Sequence, residues 1–171
     1  MTEREREARR LRLLLARIRR DRERVQVVYD RVGLAADRVR DSGIDPVTVG
    51  AVALYLQNLY TALEELLRRV AAELDGWVPA GEDWHRELLG QMTLMVEGVR
   101  PRLLDDTLHD DLDLLRRFRH VVRHAYAADY DWDEMQEVLA AARRILESLP
   151  DTIDRLEHTI RAVVEECERD G

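Results

Sequence analysis

Residues 135–167 read MQEVLAAARRILESLPDTIDRLEHTIRAVVEEC, and their spacing decides the fold class. Met135, Leu139, Ala142, Leu146, Leu149, Ile153, Leu156, Ile160, Val163 and Cys167 follow one another in steps of four and three, a heptad seam along one helix face. Asp131 with Glu134 has capping-box spacing and opens the segment. Pro150 falls inside it. Because Ser148 and Asp151 can cap a restarted helix, a kink or brief break without loss of register is expected there. A seam of this kind serves as a bundle core or as a contact between copies, and in a chain of this size the core is the expected use.

Working outward, the same periodicity recurs in every long segment. Thr2 with Glu5 forms a second capping-box pair, after which Leu11, Leu14, Leu15, Ile18, Val25, Val28, Val32 and Val39 fall near one stripe up to Gly43. Asp45-Pro46 places a cap before a first-turn proline, and Val52, Leu56, Leu59, Leu63, Leu66, Val70 and Leu74 carry a second helix to Asp75-Gly76. Trp77 to Glu82 reads as a loop. Asp83 then caps a shorter helix through Leu88, Leu89, Met92 and Met95, closed by Gly98 and Pro101. A fourth helix spans 104–126. The expectation is one all-α domain over residues 1–171, an up-and-down bundle of about five helices whose first, over 1–43, is long and rich in arginine.

Composition agrees. The chain's 171 residues are 46% apolar and 36% charged, too hydrophobic for disorder, while eight glycines and four prolines are too few for the frequent turns of a β-sandwich. No apolar run nears the roughly 18 residues of a membrane span, and Met1 to Arg10 is charged where a secretory signal is apolar, so a cytoplasmic protein without membrane contact is expected. The lone cysteine, Cys167, excludes an intramolecular disulfide and a cysteine-based zinc site, and reads as a small core residue.

All 27 basic residues are arginine, against 35 acids, for a net charge of −8 that argues against nucleic-acid binding through the overall field. The charge is unevenly spread. Residues 1–40 hold 13 arginines and 7 acids, whereas residues 124–171 hold 5 and 13. The basic first helix reads as a charge-laced solvated face, with an RNA-guiding surface or a contact for an acidic partner as alternatives.

One stretch concentrates chemistry. Arg116-Arg-Phe-Arg-His-Val-Val-Arg-His-Ala-Tyr126 packs four arginines, two histidines and a tyrosine into three turns. Taking Phe118, Val121, Val122 and Ala125 as the inward stripe puts Arg117, His120 and His124 in one outer row, and Arg116, Arg119, Arg123 and Tyr126 in another. Imidazoles exchange protons near neutral pH and guanidinium forks bind phosphate oxygens, which are the groups needed to cleave a phosphodiester without a metal. Arg119 and His124 lie about 140° apart around an ideal helix, so one chain cannot readily aim both at one phosphate, whereas a two-fold dimer can.

The spacing of Arg119, His124 and Tyr126 resembles the RxxxxHxY signature of HepT-like toxins in the HEPN superfamily of helical ribonucleases, in which the position after the arginine, here His120, is commonly polar. Residues 55–60 (YLQNLY) and 81–89 (GEDWHRELL) are similar to segments of the same group, and the resemblance covers about Pro46 to Leu149. It implies a HEPN-type bundle and a homodimeric, metal-independent endoribonuclease that needs no cofactor. Arg119 and His124 of both copies are its catalytic residues. His120, Arg123 and Arg116 support them or bind substrate. The resemblance also implies a minimal nucleotidyltransferase (MNT-type) antitoxin as partner, able to transfer AMP to Tyr126, whose added bulk and negative charge would repel RNA.

Other readings stand beside it. A HEPN-like module that binds nucleotide or a partner without cleaving keeps the same fold. Arg116, Arg117 and Arg123 can instead pair with the preceding acidic turn, and His120 with His124 can form half of a metal site. His85, His109 and His158 read as surface or satisfied histidines. Asn58, Tyr60 and Glu64 are a candidate polar group beneath the motif helix, outside the catalytic set. Trp77, Trp84 and Trp132 read as loop packing.

Overall fold

The computed structural model describes residues 1–124 and 130–169. Five α-helices account for most of them: α1 (Glu3–Ser42), α2 (Pro46–Val70), α3 (Trp84–Met92), α4 (Asp106–His124) and α5 (Trp132–Arg169), with no strand among the described residues. The all-α bundle expected from the spacing is the observed fold. No described helix is long and apolar enough to cross a membrane.

Local chemistry sets most of the boundaries. The Thr2 hydroxyl accepts from the Glu5 N–H at 3.1 Å while the Glu5 carboxylate accepts from the Thr2 N–H at 2.6 Å, a complete capping box. At the other end Gly43, with φ of 89°, stops α1. Asp45 accepts from the Val47 and Thr48 N–H groups, and Pro46 occupies the first turn of α2. Past Val70 that helix widens into a π-turn over Ala71–Asp75.

Three expectations between α2 and α4 are corrected. α3 stops at Met92, leaving Met95 72% exposed, and the Asp83 side chain pairs with Arg86 rather than capping the helix. In a continuing helix the Met92 carbonyl would accept from residue 96; here it accepts from the Leu103 and Leu104 N–H groups, both at 3.1 Å. Those two buried leucines hold the chain to the core, and α4 begins after them at Asp106 rather than at Leu104. At Pro150 the helix is not broken, since it lies within an uninterrupted α5, and the register is kept as expected. Leu149, Ile153 and Leu156 are buried on one face across the proline, so packing against the neighbouring helices keeps the register.

Ion pairs fix the directions of the long helices. Arg17–Glu73 and Arg24–Glu65 run α1 antiparallel to α2, while Arg12–Glu168, Arg19–Glu157 and Arg22–Asp154 run it antiparallel to α5. The basic first helix and the acidic last one are therefore adjacent, and each neutralises part of the other. The heptad seam of α5 faces this interior, where α1 and α4 cover it.

Candidate functional site

α4 buries Leu108, Leu112 and Leu115, a stripe in steps of four and three whose next member is Arg119. The motif arginine thus lies on the inward face. Of the buried side expected for this helix, Leu108, Leu112 and Leu115 are buried and Phe118 and Val122 are half-buried against the core, as expected; Val121, 54% exposed, is corrected, and Ala125 lies outside the described residues. Beyond Leu115, Phe118 and Val121 border an open groove with Tyr130, Met135 and Val138.

The guanidinium carbon of Arg119 stands 5.8 Å from the ring centroid of Tyr60 on α2, within cation–π range. Its Nε is buried with no hydrogen-bond partner, and the Tyr60 hydroxyl is in the same condition. Tyr60 is almost completely enclosed. Burial first, and then the Glu64 carboxylate, push its ionisation far above the ordinary tyrosine range, against a weaker downward pull from Arg116 and Arg119. The phenol is therefore a neutral group at any working pH. It can donate a hydrogen bond but cannot serve as a base.

Glu64, one turn beyond Tyr60 and also buried, is held by Nδ1 of His85 from α3. The His85 ring stacks on Trp84, with centroids 3.8 Å apart. Asn58, grouped with Tyr60 and Glu64 in the sequence, is exposed and takes no part. His85, read as a surface or satisfied histidine, is satisfied by this buried carboxylate. The available signal was Glu64 itself, since an acid among Leu59, Leu63 and Leu67 requires a partner.

The histidines occupy a different side of α4. Nδ1 of His124 lies 2.8 Å from the His120 carbonyl oxygen, and the two rings are 4.2 Å apart. A carbonyl can only accept, so Nδ1 carries the hydrogen and neutral His124 keeps its Nε2 lone pair. Both histidines and Arg123 are exposed, and Asp113 pairs with Arg116 at 2.7 Å and Arg117 at 3.1 Å. Two of the four arginines are thus engaged by the acidic turn. The structure brings His120 to His124 and Arg119 to Tyr60, without joining the two pairs. Tyr126 lies outside the described residues. Among the described residues, no three histidine, cysteine or carboxylate side chains are grouped to hold a metal ion.

Trp77 is 58% exposed, so loop packing describes Trp84 and Trp132 but not Trp77. No curated protein and no solved structure gives a match to the chain. The family of HepT-like proteins matches residues 51–160, which take in most of α2, all of α3 and α4, and α5 as far as Ile160. With more than half its length matched, including Tyr60, Glu64, His85 and the motif arginines and histidines, the chain belongs to the HepT-like family.

Proposed function

We propose that the protein is a metal-independent endoribonuclease of the HEPN kind. It acts as a homodimer in which Arg119 and His124 of both copies flank one RNA strand. The observation that carries this reading is the His124–His120 hydrogen bond, which leaves Nε2 as an acceptor on an exposed imidazole in the last turn of α4. In the proposed reaction His124 Nε2 takes the proton from a ribose 2′-hydroxyl, and the oxygen attacks the adjacent phosphorus. The bond from phosphorus to O5′ breaks, and the second copy's protonated His124 gives its proton to the leaving oxygen. A 2′,3′-cyclic phosphate and a 5′-hydroxyl result. Arg119 neutralises charge on the phosphoryl oxygens, with His120, Arg116 and Arg123 supporting the site or binding substrate.

In this reading the chain is a toxin and an MNT-type nucleotidyltransferase its antitoxin. Attachment of AMP to Tyr126 places a phosphate beside the arginines and blocks the strand. The test is incubation of purified protein with RNA in excess chelator. Cyclic-phosphate ends that disappear in both Arg119→Ala and His124→Ala are the expected result. Cleavage unchanged by both substitutions, or no cleavage across the pH range in which histidine titrates, overturns the reading.

A further inference from the structure

Arg119 is a half-buried cation, yet no ion pair engages it among the described residues. Tyr60 is the neighbour common to Arg119 and Glu64: the guanidinium lies near its ring, Glu64 follows one turn along the same helix, and the hydroxyl feels both charges. Glu64 instead binds Nδ1 of His85, whose ring stacks on Trp84. The other nearby cation, Arg116, is taken up by Asp113.

We propose that His85 is a positioning residue: by occupying Glu64 it keeps that carboxylate from neutralising Arg119, so that the guanidinium remains available to an RNA phosphate. The proposal rests on the ribonuclease reading for the identity of the anion, whereas the competition for Glu64 is argued from the Arg119–Tyr60 and Glu64–His85 contacts. His85, 34 residues before Arg119, then controls the charge of a site it does not touch.

Two readouts test it on the full chain. The first is the ¹⁵N–¹H signal of Arg119 Nε, assigned by its loss in Arg119→Lys. It is expected to move in His85→Ala and to return in His85→Ala/Glu64→Gln, where no carboxylate competes. In His85→Gln, which retains a donor, it stays in place. The second is cleavage of a fluorescein-labelled single-stranded RNA of mixed sequence. His85→Ala raises KM by roughly tenfold, the factor of an ordinary charge-assisted contact, with kcat little changed, and the double variant recovers. A merely structural His85 predicts the opposite, with the double variant worse than the single. A signal unmoved by His85→Ala, or a double variant that does not recover, overturns the proposal. If the unaltered protein cleaves no RNA, the ribonuclease reading falls while the first readout still decides this one. If His85→Ala does not fold, His85→Leu, nearer in volume, carries the same comparison.

Discussion

The guanidinium carbon of Arg119 stands 5.8 Å from the ring centroid of Tyr60, at the place where the buried stripe of α4 calls for an apolar side chain. A half-buried cation with no carboxylate partner costs desolvation that its ring contact only partly offsets. Arg119→Met is therefore expected to stabilise the fold by about 1 kcal/mol while abolishing RNA cleavage, the usual exchange at a functional position. Urea unfolding of the two proteins, compared with their cleavage rates, checks both halves.

Tyr60 supplies a pH test. Its ionisation is raised in the folded chain, chiefly by burial, so the folded state holds this proton more tightly than the unfolded state does. The associated stability is fully present below the ordinary tyrosine value of about 10 and falls as the pH rises past it. Tyr60→Phe removes that part of the alkaline loss. The stability difference between pH 8.5 and pH 11 should be visibly smaller in the variant; equal losses would exclude a buried neutral phenol.

The contact between His124 and His120 predicts a tautomer. Neutral His124 should carry its hydrogen on Nδ1, which long-range ¹H–¹⁵N spectra read directly. Because the acceptor is main chain, His120→Ala should leave the tautomer unchanged. Cleavage should fall by about 10²–10⁴ in His124→Ala, the range for loss of a general acid or base, and by less in His120→Ala.

Arg100 has no exposed side-chain surface, and its guanidinium binds Asp75 through two nitrogens at 2.6 and 2.7 Å while also donating to the carbonyls of Gln91, Leu94 and Pro101. It organises the whole irregular stretch between α3 and α4. Arg100→Met strands a buried carboxylate and should cost about 3–5 kcal/mol. Adding Asp75→Asn should restore part of the loss, as thermal unfolding of the single and double variants will measure.

What the sequence made legible was whatever short spacing controls. The caps at Thr2, Asp45 and Asp131 and the seam of α5 depend on residues within a turn or two of one another, and they stand where spacing puts them. Pro150 did not, because burial on both sides of it outweighs one lost hydrogen bond. On α4 the expected inward face stands except at Val121, for a related reason. Phe118 and Val122 still pack against the core, but its fully buried part ends at Leu115 and Val121 is left exposed. The pairing of Glu64 with His85 joins residues 21 positions apart on different helices, which no local pattern encodes.

α1 is 40 residues long, about 60 Å of helix, and all of it precedes the segment that matches the HepT-like family. Yet Leu14, Ile18, Val25 and Val32 are sealed into the same apolar interior as α2 and α5. A fragment cut to the matching segment alone would present that uncovered leucine-rich flank to water and aggregate. The part that identifies the protein is thus not a part that can stand by itself, and the poorly matched N-terminal rod is its scaffold.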